Sequence, residues 1–224
     1  MDKDDAPKKN EILAGSTKSE NVLDLAAMVT SVVPWIGGPV SIVLSGMSIN
    51  RKFDRVKEVL DGLTNDLKDF KSEASEKYVK TDEFGELLEK TLLKSADERN
   101  EQKRKLYRAF LTHEIKSPGK SYDEQLRYLR TMEGVQPDHL RMLKAIADKP
   151  KMDIHRTGSP LATLQERLPD MSADQIRLLV IELHDLHLSN LTSLNGIMTY
   201  NGAQDLQHHV TPYGQSFLDF ILYI

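Results

Sequence analysis

Twenty-six consecutive residues, 25 to 50, carry no charged side chain, in a chain of 224 residues of which 29% are charged. By count alone the stretch could span a bilayer, which takes about 20 apolar residues in a helix. Arg51 and Lys52 follow it directly, as cations do at a cytoplasmic membrane edge. Its middle argues otherwise. "PWIGGP", residues 34–39, interrupts any helix with two prolines and a glycine pair. Thr30, Ser31, Ser41, Ser45 and Ser48 dilute the remainder. Each half is then too short to cross. The pattern predicts two short apolar helices, "NVLDLAAMVTSVV" with Asn21 as N-cap and "PVSIVLSGMSI" with Pro39 in its first turn. Joined at a tight break, they form a hairpin whose apolar side must be covered by the chain's own core, by another protein or by lipid. In the last two cases Val33, Trp35, Ile36, Val40, Ile42 and Val43 make the contact.

The next segment supplies a partner for that hairpin. Phe53, Val56, Leu60, Leu63, Leu67 and Phe70 follow one another in steps of 3, 4, 3, 4, 3, the a/d step of a helix with one apolar seam. A bundle stripe is the expectation, with a homomeric coiled coil as the alternative. A second amphipathic helix is expected from Thr81, with Phe84, Leu87, Leu88, Leu92 and Leu93 on one side. It crosses the charged run "DERNEQKRK" and regains apolar character at Leu106, Tyr107, Phe110 and Leu111. "KSPGK" ends this region, and Ser121 with Glu124 forms a capping box that opens a further helix closed by Gly134. The chain therefore divides into a polar tail at 1–20, a helical domain at 21–133 and a distinct last part at 137–224.

That last part begins with helices over "QPDHLRMLKAIADKP", "SPLATLQERL" and "SADQIRLLVIELHDLHL", with Ser159 and Ser172 as N-caps and Pro160 at a first helical position. Two Asn-Gly pairs, 195–196 and 201–202, flank "IMTY" and predict a β-hairpin. A short strand through His208 and His209 then runs into a final helix capped by Thr211. Three helices, a hairpin and a closing helix in this order resemble a winged helix-turn-helix domain. The likeness rests on "SPLATLQERL", "SADQIRLLVIELHDLHL" and "VTPYGQSFLDFI". The whole arrangement is also similar to bacterial proteins that couple an "IPWxGGP"-type start to a terminal winged helix, a likeness confined to those two regions that assigns no activity. The fold expected is thus mainly α: a helical N-terminal bundle built on the apolar hairpin, then a winged-helix domain with a small β-hairpin.

The resemblance implies that residues 173–187 form the helix that enters a DNA major groove, with Asp174, Gln175, Arg177, Glu182, His184 and Asp185 as its polar positions. Their charges argue against that use. Residues 159–224 hold only Arg167 and Arg177 against seven carboxylates, and a polyanion is bound by neutralising several phosphates at once. Residues 51–120, by contrast, are nearly balanced, with 17 Lys and Arg against 15 Asp and Glu.

Signs of catalysis are weak. "SPGKS" has the Gly-Lys-Ser of a phosphate-binding loop, but Glu114 stands where the first glycine is needed and a helix precedes it rather than a strand. Arg108 and His113 match the Arg-x4-His spacing of helical ribonucleases of the HEPN type, yet Ala109 follows the arginine where a polar residue is usual in that family. His184, His187, His208 and His209 with Glu182 or Asp185 could assemble a zinc site only if the fold converged them; surface or half-buried histidine is the expectation. The chain has no cysteine, which removes thiolate ligands, thiol nucleophiles and disulfides. No cofactor or metal is expected, and "MDKDDAPKKN" does not read as a secretory signal, so a cytoplasmic protein is expected, in reach of a membrane if the hairpin opens. The reading that follows is a non-enzymatic interaction protein that assembles through its helical region and binds protein through an acidic winged helix. Two alternatives remain: a membrane-perturbing effector acting through 22–49, as in phage defence or bacterial competition, and a winged-helix DNA-binding regulator.

Overall fold

The computed structural model describes residues 36–46, 51–149 and 157–222, with positions 23, 24 and 27. The helix expected from Asn21 lies largely outside the described residues, as do Val33 and Trp35. The described chain is mainly α-helical, and its only strands are two residues long. It separates into two compact units, residues 1–129 and 130–224.

In the first unit, helix α1 spans Gly37–Ser45, α2 Arg51–Leu67, α3 Glu73–Tyr78, α4 Asp82–Asp97 and α5 Glu101–Lys116. Helix α6, Tyr122–Gly134, begins here and crosses into the second unit. The heptad stripe is the core of this unit. Phe53, Val56, Leu60, Leu63 and Leu67 are at most 4% exposed, because α2 packs along both α4 and α5. Phe70 falls beyond the end of α2 and is half-buried. The seam is consumed inside the chain, which leaves no a/d face for a homomeric coiled coil. Helix α1 lies against α4, so Ile36, Val40 and Val43 of the apolar segment are buried while Ile42 is 67% exposed.

The charged run does not carry one helix through. Asn100 Oδ1 accepts the Lys103 N–H at 3.2 Å and starts a new helix, the usual preference of asparagine for a cap over a helix interior. Arg104 clamps the corner, reaching Glu58 Oε2 at 2.6 Å and the carbonyls of Glu98 and Arg99. The single helix expected from Thr81 is therefore two, α4 and α5, folded back on the same stripe. Leu93, expected on the buried side of α4, faces out at 46% exposure.

The second unit is organised by caps. Helix α7 spans Pro137–Ala147, α8 Pro160–Arg167 and α9 Ala173–Asp185. Ser159 Oγ accepts the Ala162 N–H, and Ser172 forms a full capping box with Gln175. Helix α9 ends where His187 takes a left-handed φ of 58°. Strand β1, Thr157–Gly158, pairs antiparallel with β2, Met198–Thr199. After β2 come a short helix α10, Tyr200–Gln204, a 3-10 turn at Gln207–His209 and the closing helix α11, Pro212–Leu222. Thr211 Oγ1 accepts the Gly214 N–H at 2.8 Å, as its cap position requires.

The expected β-hairpin differs. Thr199 Oγ1 accepts the Gly202 N–H, which draws Asn201 and Gly202 into α10 instead of a turn. No described glycine has a positive φ, the conformation that an Asn-Gly hairpin turn needs. His208 and His209 sit in the 3-10 turn, and Val210 makes only an isolated bridge to Ser189.

Candidate protein-contact surface

Helix α9 holds the most unusual surface of the second unit. The run Leu178–Ile181 places four apolar residues in succession, and successive residues on a helix point about 100° apart. They cannot all face one core. Ile176, Leu179, Val180 and Leu183 turn inward, at most 8% exposed, while Leu178 and Ile181 remain 56% and 58% exposed. Beside them a groove of about 270 Å³ is lined by Arg177, Ile181, His184, Leu191, Leu194 and Asn195. Ile197, two residues past Asn195, is 87% exposed. A monomeric surface rarely gathers large apolar side chains without a use for them.

The polar positions named from the sequence divide into structural and free groups. Gln175 is spent on the cap, its Oε1 accepting the Ser172 N–H at 2.9 Å. Glu182 is turned toward α7, its Oε2 2.8 Å from His139 Nε2. His139 Nδ1 accepts the Gln136 N–H, so the imidazole proton lies on Nε2 and is donated to Glu182. Asp174, Arg177, His184 and Asp185 stay on the outer face with Leu178 and Ile181. Arg177 pairs with Asp174 at 2.8 Å, and His184 Nδ1 lies 3.7 Å from Asp185.

Two further arginines of this unit are engaged locally. Arg167 donates to the carbonyls of Gln204 and Asp148, tying α8 to the C-terminal ends of α10 and α7. Arg141 grips Asp170 with two hydrogen bonds of 2.7 and 2.8 Å and holds that carboxyl below its usual range. Arg177 is thus the one arginine on the outer face of α9.

The two catalytic candidates on α5 have different acidic neighbours. In the first unit Arg108 lies over Gly62, where a β-carbon would meet its guanidinium, and sits 3.1 Å from Asp66. His113 instead faces Glu114, a buried carboxylate that also accepts Gln125 Nε2 at 2.7 Å and lies 3.5 Å from Lys120. Among the described residues no three His, Asp or Glu side chains come together as a metal site; His208 and His209 stack on each other at 4.0 Å between ring centres.

Of the residues expected to meet a partner or membrane through the apolar hairpin, Ile36, Val40 and Val43 face the core and Ile42 alone is exposed; Val33 and Trp35 lie outside the described residues. Among the described residues no helix is long and apolar enough to cross a membrane. Sequence reasoning missed Leu178 and Ile181. The signal was present in the four-residue apolar run, which exceeds what one helix face can bury. Comparison with known proteins finds no family model, curated protein or solved structure that matches the chain.

Proposed function

We propose that this chain is a non-enzymatic interaction protein whose second unit is a winged-helix-like module that binds protein through α9 rather than DNA. The observation that carries the reading is the pair Leu178 and Ile181, exposed at the centre of the helix that a winged helix would present to the major groove. The order α7, β1, α8, α9, β2, with β1 paired to β2, is consistent with the resemblance drawn from the sequence.

Charge and solvation choose between the two uses. The outer face of α9 carries Asp174 and Asp185 against Arg177, and affinity for DNA comes chiefly from cations that neutralise phosphates. Leucine and isoleucine gain nothing beside phosphate oxygens. Against an apolar protein surface each buried Å² returns about 25 cal/mol. The heptad stripe is already covered within the first unit, so the contact surface falls on α9 and not on α2.

A photo-crosslinking amino acid placed at Leu178 in the full chain tests this in cells. The expected adduct is a polypeptide, resistant to nuclease. A nuclease-sensitive adduct, or the absence of any adduct, overturns the proposal.

A further inference from the structure

We infer that the occupant of the α9 face is a second copy of this chain, docked antiparallel about a twofold axis at Ile181. The inference rests on the protein-contact reading of α9 and names its partner.

Three residues four apart, Arg177, Ile181 and Asp185, form one row along the outer face of the helix. The row reads cation, apolar, anion. A twofold axis through its middle reverses it onto itself, so that Arg177 meets Asp185 of the second copy, Ile181 meets Ile181, and Asp185 meets Arg177. Both ion pairs are made by one operation, the property of an isologous interface. Rows of this i,i+4 type are also the ridges by which helices most often pack.

The neighbouring positions fit the same axis. Leu178 and His184 lie symmetrically about Ile181, three residues to either side, so each Leu178 comes against the other copy's His184. His184 lines the groove beside α9, together with Leu191 and Leu194. Each exposed leucine therefore enters an apolar groove rather than meeting a flat surface.

Among the described residues, the contacts made by the row are weak ones. The Arg177–Asp174 pair is an exposed i,i+3 contact, with Asp174 95% exposed, and such pairs bind weakly. The guanidinium is free to exchange Asp174 for a carboxylate on a second copy. Asp185 is 74% exposed and lies 3.7 Å from His184, beyond hydrogen-bonding distance.

Sedimentation equilibrium of the full chain tests the inference through charge exchange. The wild-type chain of 25.4 kDa is expected to form a concentration-dependent dimer. R177D sets acidic side chains against acidic ones across the axis, and D185R sets basic against basic; each should weaken dimerisation at least roughly tenfold. The doubly exchanged R177D/D185R chain should recover to within about threefold of wild type, because the row is merely inverted. An equimolar mixture of the two single variants should form a heterodimer, since both of its pairs are then complementary. I181D should abolish association, with far-UV circular dichroism confirming that the exposed substitutions leave the helices intact.

A wild-type chain that stays monomeric at every concentration overturns the inference, as does a dimer indifferent to I181D or single variants that fail to rescue each other. A crosslink from position 178 to a different polypeptide also overturns it while leaving the protein-contact reading standing; a nuclease-sensitive crosslink removes that reading itself.

Discussion

Replacing Gly214 by alanine should destabilise the second unit by about 2 kcal/mol, although the site lies in a helix where alanine is intrinsically preferred. Gly214 is in the first turn of α11, and that turn is pressed against the end of the segment following α9. A β-carbon there would stand 2.8 Å from the carbonyl carbon of Leu188 and 3.1 Å from its Cα. Ordinary carbon–carbon contact is about 3.5–4.0 Å. Helix α11 must therefore retreat by roughly 1 Å, because the obstacle is backbone and cannot rotate away.

The retreat loosens contacts that are short at present. Thr211 Oγ1 donates to the His187 carbonyl at 2.7 Å, Thr211 N–H donates to Leu188 O at 3.2 Å, and Tyr213 reaches Thr131 at 2.7 Å. Two such bonds lost, at about 0.5–1.5 kcal/mol each, give 1–3 kcal/mol. Phe217 and Leu218, at most 2% exposed, lose part of their packing as well, since a gap of about 1 Å forfeits up to half of a dispersion contact. Alanine returns at most about 1 kcal/mol through helix propensity and a stiffer unfolded chain. A net 2 kcal/mol is about a 30-fold fall in the folded-to-unfolded ratio. Urea unfolding followed by far-UV circular dichroism measures it. The matched control is Gly38→Ala in α1, where nothing lies within 4 Å and the change should be neutral or slightly stabilising. A Gly214→Ala chain as stable as wild type would refute the close approach of α11 to Leu188.

Two further predictions concern polar groups. Gln125 Nε2 donates to Glu114 and to the Tyr78 hydroxyl, both at 2.7 Å, and burial with Glu114 nearby pushes the Tyr78 phenol above its usual range. Gln125→Leu leaves the buried carboxylate short of a donor and should lower stability by about 2 kcal/mol in the same assay; an unchanged urea midpoint would show that Glu114 finds its partners elsewhere. Burial, with His208 beside it, holds His209 below the ordinary imidazole value of 6.5. As pH falls through that value the unfolded chain binds the proton first, so stability drops on acidification and is fully present above it. Midpoints measured at about pH 7.5 and about pH 5.5 should converge in His209→Gln relative to wild type, and a wild-type chain stabilised by acid would contradict the sign.

Helix boundaries were largely legible in the sequence because a cap is completed within one turn. The Ser121–Glu124 box and the caps at Ser159 before Pro160, at Ser172 and at Thr211 before Pro212 all form as their spacing requires. The stripe from Phe53 to Leu67 is buried as its period demands. The Asn-Gly signal at 201–202 failed for an equally local reason: Thr199 offers a competing cap, and the segment closes as a helical turn instead. Asn195–Gly196 remains in an irregular segment between α9 and β2.

Which apolar side chains stay outside is a different kind of question. The sequence by itself determined where α6, α8, α9 and α11 start and that one seam of α2 must be hidden, since capping and amphipathic period are properties of neighbouring residues. Only the tertiary structure decided that α4 and α5 fold back at Asn100, through the contact of Arg104 with Glu58, and that α1 turns Ile36, Val40 and Val43 inward. It also decided that Leu178 and Ile181 face out while Leu179 and Val180 face in. A run of four apolar residues specifies that some must be exposed, but the choice belongs to the packing of α7 and α8 against one side of α9, and that packing is set by residues far away in the chain.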